Sequence, residues 1–88
     1  MKSFTYRVNL KNGIHARPAG KIVSLCKGYE SRVEISNGSH KADGKRLLSL
    51  MGLGATYGTD LKITIDGSDE EQLYNALSQQ IKELEGGE

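Results

Sequence analysis

The chain has 88 residues, room for one small domain with one core. Hydrophobic residues make up 36% and charged residues 26%, which is ordinary for a soluble globular domain and argues against disorder. Twelve Lys and Arg against 11 Asp and Glu leave a formal charge of +1, too little for a bulk electrostatic grip on nucleic acid.

The single cysteine, Cys26, excludes an internal disulfide and a metal cluster built on thiolates. The first residues carry no apolar run, so no signal peptide is expected. No stretch approaches the ~20 apolar residues of a membrane span. The expectation is a cytoplasmic monomer with no membrane insertion and no bound metal.

Phe4, Tyr6, Val8 and Leu10 alternate with polar residues, which predicts a half-buried strand. Asn12-Gly13 marks a turn. Ala19, Ile22, Val23, Cys26 and Tyr29 then recur at helical spacing and predict a helix over residues 16–27. Pro18 sits in its first turn, where a missing N–H costs little. Gly28 fits a left-handed residue at its end. Val33 and Ile35 mark a second strand, and Asn37-Gly38 signals a hairpin to a weakly apolar third strand over 39–43. Leu47, Leu48, Leu50, Met51 and Leu53 favour a helix of two turns.

Leu61, Ile63 and Ile65 mark a fourth strand. Ser68 and Glu71 have the spacing of a capping box, and Leu73, Ala76, Leu77, Ile81 and Leu84 carry a last helix to about residue 85, with Gly86-Gly87-Glu88 as a frayed tail. The order is βαββαβα. Each strand alternates and each helix has one apolar stripe, so the helices must cover one face of one sheet. That is a two-layer α+β sandwich.

The segment Gly13-Ile14-His15-Ala16-Arg17-Pro18-Ala19 carries the chemistry. His15 falls at the start of the first helix, where the amides of Ala16 and Arg17 have no intrahelical partner. Those amides and the helix dipole favour an anion. Arg17 adds a planar fork of donors that matches phosphate oxygens. An ordinary imidazole titrates near about 6.5, so much of it is neutral and nucleophilic at physiological pH. The spacing alone also suits a capping histidine beside a solvated arginine.

Among the five apolar residues of the second helix, Leu50 and Leu53 are the expected core members. Leu47, Leu48 and Met51 are expected outside, as a candidate docking patch. Cys26 reads as core packing. His40 reads as a surface histidine on the third strand. Tyr57, in a Gly-rich loop, has no position the sequence fixes.

On the heptapeptide 13–19 the sequence resembles the HPr family, histidine-containing phosphocarriers of the bacterial phosphotransferase system. Gly54, Gly58-Thr59-Asp60 and Asp66-Gly67 resemble that family's fourth-strand region, and length and element order agree. The resemblance implies an open-faced sandwich with a four-stranded antiparallel sheet under three helices. It implies His15 as phosphoacceptor at Nδ1, with Arg17 and the Ala16 and Arg17 amides binding the phosphoryl group. Enzyme I would donate a group that originates from phosphoenolpyruvate, and sugar-specific enzyme IIA domains would accept it. The protein would then be a carrier without a cofactor rather than a free-standing catalyst. Partners would dock on the first two helices, at Leu47, Leu48, Met51, Gly20 and Ser24.

Two departures stand out. Many HPr proteins carry a kinase-regulated serine in a lysine-serine-isoleucine context at the start of the second helix. Here the pair is Lys45-Arg46. Ser49, one turn on, is the displaced candidate for a regulatory site, against a solvated or backbone-bonded serine. Gly20 and Ser24 replace the threonine and long polar side chain usual on the first helix. They suggest a divergent member, and a regulatory or nitrogen-branch paralogue using His15 with other partners stays open. From another class, a nucleic-acid-binding α+β module would need aromatic residues on the exposed sheet face.

Overall fold

The computed structural model describes residues 1–87. The elements are β1 (Lys2–Arg7), α1 (Ala16–Lys27), β2 (Arg32–Ser36), β3 (Lys41–Asp43), α2 (Leu47–Met51), β4 (Asp60–Asp66) and α3 (Glu70–Gly86). The sheet runs β1-β4-β2-β3, and every neighbouring pair is antiparallel. This is the expected βαββαβα open-faced sandwich.

Register explains the core. Phe4 faces Ile63, Val33 faces Ile65, and Ile35 lies between Ile63 and Ala42. These side chains share the covered face with Ile22, Val23 and Cys26 of α1, Leu50 of α2, and Leu73, Leu77, Ile81 and Leu84 of α3. Leu10, Ile35, Leu50, Leu61, Ile65, Leu73 and Leu77 are fully buried. Burial of each contributes roughly 1.5–3 kcal/mol. Cys26 is buried as expected, and that burial pushes its thiol up to about 11. The outer sheet face presents Thr5, Arg7, Arg32, Glu34, Lys41 and Lys62 at its exposed positions. No aromatic side chain stands there, so the stacking surface that an RNA-binding reading requires is missing.

Several local expectations are corrected. The ladder of β1 ends at Arg7, although Val8 and Leu10 remain buried. Val8 instead donates to Thr59 O at 2.9 Å and accepts from Gly58 N at 2.8 Å. Gly28 is right-handed, with φ −77°. The hairpin signalled by Asn37-Gly38 does form, with β2 paired to β3 and Asn37 N donating to His40 O at 3.1 Å, but only Gly38 of the two takes a positive φ, and Asn37 acts through its side chain. Its Oδ1 accepts from the amides of Ser39 and His40, and its Nδ2 donates to Leu53 O. β3 therefore starts at Lys41, and His40 is an exposed loop residue. α2 spans five residues rather than two full turns.

The capping box is also absent. Asp69, not Ser68, is the N-cap of α3. Ser68 Oγ donates to Glu30 at 3.3 Å, and Glu71 pairs with Lys2 at 2.9 Å. Gly86 is helical and Gly87 caps α3, while the expected fraying of Glu88 lies outside the described residues.

Candidate functional site

The approach to His15 is held by backbone. Gly13 N donates to Leu10 O, and Ile14 N donates to Ala55 O, both at 2.8 Å. Gly13 has φ +71°, and a Cβ there would run into the carbonyl of Ala55. Only glycine lets the turn lie this close to the 55–56 backbone. The loop that carries Tyr57, an exposed side chain, is thus tied beside the site. Ile14, Pro18 and Ala19 are buried, while His15, Ala16 and Arg17 between them are exposed.

His15 is the N-cap of α1, with φ −94° and ψ −167°. Its carbonyl takes the first helical bond, from Ala19 N at 2.9 Å. Its imidazole caps nothing, and the first turn holds no acidic residue. The Ala16 and Arg17 amides precede the first residue that can bond within the helix, and Pro18 has no amide hydrogen. Two donors and the positive end of a twelve-residue helix therefore face outward beside the imidazole.

A hollow of about 270 Å³ opens at this point. His15, Arg17, Pro18 and Lys21 line it from α1, and Gln80, Glu83 and Leu84 from α3. His15 and Arg17 are the two residues of this lining that the heptapeptide 13–19 marks out. Lys21 was legible as the residue four after Arg17. Gln80 and Glu83 were not, because only the packing of α3 beside α1 brings them here.

The apolar residues of α2 and Leu53 divide between core and surface as expected. Leu50 is 0% and Leu53 7% exposed, whereas Leu47 is 41%, Leu48 84% and Met51 37% exposed. α2 packs beside α1, where Ser24 is exposed and Gly20 half-buried. Arg46 is the N-cap of α2, and its guanidinium lies 3.8 Å from Asp43. Ser49 Oγ accepts from Asp43 N at 3.0 Å, so its hydroxyl is already tied to backbone. Among the described residues, no group of three or more His, Cys, Asp or Glu side chains is placed to hold a metal ion. No helix there is long and apolar enough to cross a membrane.

A family model described as the PTS HPr component phosphorylation site matches residues 2–83. The chain belongs to the HPr family of phosphocarrier proteins. It is 36% identical to phosphocarrier protein HPr of Haemophilus influenzae, over 97% of this chain and all of that one. Its fold matches a crystal structure of HPr from Thermoanaerobacter tengcongensis with TM-score 0.92 and 32% identity, covering 100% and 99% of the two chains. Crh, the Bacillus subtilis catabolite repression protein, also matches, with TM-score 0.73 and 28% identity over 96% and 97%. HPr membership thus settles the phosphocarrier fold and class, and the branch must be argued from the site.

Proposed function

We propose that His15 receives a phosphoryl group from phosphorylated enzyme I and passes it to sugar-specific enzyme IIA domains. The observation that carries this reading is the open end of α1: an exposed N-cap imidazole, two outward amides and no acidic residue in the first turn. Nδ1 attacks phosphorus as the donor's bond to phosphorus breaks. The Ala16 and Arg17 amides and the Arg17 guanidinium meet the oxygens, whose charge is roughly −1.5 to −2 by analogy with other phosphorylated side chains. Helix-terminus stabilisation of about 0.3–1 kcal/mol, up to ~2 when partly buried, holds the group without trapping it. A second proton on the imidazole then makes it a good leaving group.

Leu47, Leu48 and Met51, with Gly20 and Ser24 on α1, form the proposed docking face for both partners. The proposed carrier is a cytoplasmic monomer with one phosphorylation site. Arg46 stands where a regulatory serine is common, and Ser49 would lose its bond from Asp43 N if modified. The likeness to Crh supports a second reading, a regulatory or nitrogen-branch paralogue with the same His15 and different acceptors.

The test is incubation with enzyme I and labelled phosphoenolpyruvate. An acid-labile phosphate should appear on the wild type and be absent from His15→Ala. An unlabelled wild type would sink the carrier reading. Transfer onward to a panel of sugar and nitrogen-branch acceptors separates the two branches.

A further inference from the structure

We infer that Lys21 is a second cationic contact for the phosphoryl group on His15, set against Glu83 across the same hollow; this rests on the carrier reading above. Four charged or titratable groups line the hollow: His15, Arg17, Lys21 and Glu83. Lys21 lies four residues after Arg17, hence on the same helix face. Helical Cα–Cβ bonds tilt toward the N-terminus, so the Lys21 side chain leans toward the end where His15 sits.

Two other lysines have carboxylate partners: Lys2 pairs with Glu71, and Lys41 with Glu34. Among the described residues, neither Arg17 nor Lys21 forms an ion pair. Two cations are thus held beside an imidazole with no carboxylate in ion-pair contact among the described residues. A phosphoryl group on that imidazole supplies one. Glu83, on the α3 side, acts in the opposite sense. Its carboxylate repels the oxygens and keeps two cations from making the phosphorylated state too stable to donate.

The experiment uses the full chain phosphorylated with phosphoramidate, which needs no protein donor. The reagent's P–N bond breaks as a ring nitrogen of His15 bonds to phosphorus, and ammonia leaves. The second ionisation of the bound phosphoryl group is then followed by ³¹P NMR against pH. Lys21→Gln should raise its proton affinity about two- to fivefold, the range for solvent-exposed charge pairs. The shift should shrink as salt is added. Lys21→Arg should restore the wild-type titration, and Glu83→Gln should move it the other way. A Lys21→Gln titration equal to wild type, with Arg17→Gln shifted in the same series, overturns the role of Lys21 and leaves the carrier reading standing. A wild type that takes label from neither phosphoramidate nor enzyme I overturns both.

Discussion

Two helices of this protein begin in opposite ways. At the start of α3 the chain supplies its own anions. Asp69 accepts from the amides of Glu30 and Ser31 at 2.8 and 2.9 Å and from the Ser31 hydroxyl at 2.5 Å. Glu70 accepts from Gly67 N and from the N-terminal ammonium. At the start of α1 the first turn has no acidic residue, and the N-cap side chain makes no bond. Both helices leave amides without helical partners. One end carries carboxylates of its own, which bind amides outside the helix rather than cap it, whereas the other offers the helix dipole no anion. A first turn without an anion, in a protein that places Asp69, Glu70 and Glu71 at the start of its longest helix, is a place where the anion comes from outside.

The largest effect should come from closing α1 in the manner of a structural helix. Asn is among the best N-cap residues, and His15 already has extended N-cap dihedrals. In His15→Asn the amide oxygen can take the Arg17 N–H, since Pro18 has none to offer. Phosphohistidine should vanish completely, while stability rises by about 0.5–1 kcal/mol. Thermal unfolding and phosphate labelling of the same sample read both at once. A variant that loses label and also loses stability would show that the imidazole has a structural role this comparison denies.

The converse change takes an anion from the start of α3. The Ser31 hydroxyl and the Glu30 amide hold the Asp69 carboxyl below its ordinary value. The N-terminal ammonium and the Gly67 amide do the same for Glu70. Unfolded, these groups titrate near about 3.9 and 4.3. A depressed folded value means the stabilisation is fully present above the unfolded value and is lost as pH falls through the folded one. Asp69→Asn should therefore lower the melting temperature at neutral pH. The gap from wild type should close below about pH 4. Acid-unfolding curves that run parallel down to the lowest pH would contradict this, and phosphorylation of His15 should be unaffected in either case.

The same contrast governs what could be read from the sequence. The bounds of α1 and the split of Leu50 and Leu53 from Leu47, Leu48 and Met51 follow from spacing within one element, and the structure agrees. The start of α3 departs from the capping box because Ser68 and Glu71 find partners elsewhere, Glu30 and Lys2. Asp69 instead answers amides 38 and 39 residues away, and no local rule contains that contact. Asn37 behaves likewise: beyond the turn it shares with Gly38, its side chain reaches Leu53 O, a contact outside the local pattern. His15 and Arg17 were legible because the heptapeptide is contiguous, but Glu83 enters only where α3 packs on α1.

The smallest effect belongs to Gly20, inside α1 a short way past the open end. A Cβ built there meets nothing within 4 Å, and glycine in a helix interior costs roughly 0.5–1 kcal/mol against alanine. No close approach within the protein accounts for it, so Gly20→Ala should raise stability by about that amount. If Gly20 belongs to the docking face, the added methyl should weaken transfer between proteins while leaving labelling by phosphoramidate intact. A gain in stability with unchanged transfer from enzyme I and to enzyme IIA would remove Gly20 from that face and leave it as a tolerated residue. The open end of α1 would then recruit its partners through Leu47, Leu48, Met51 and Ser24.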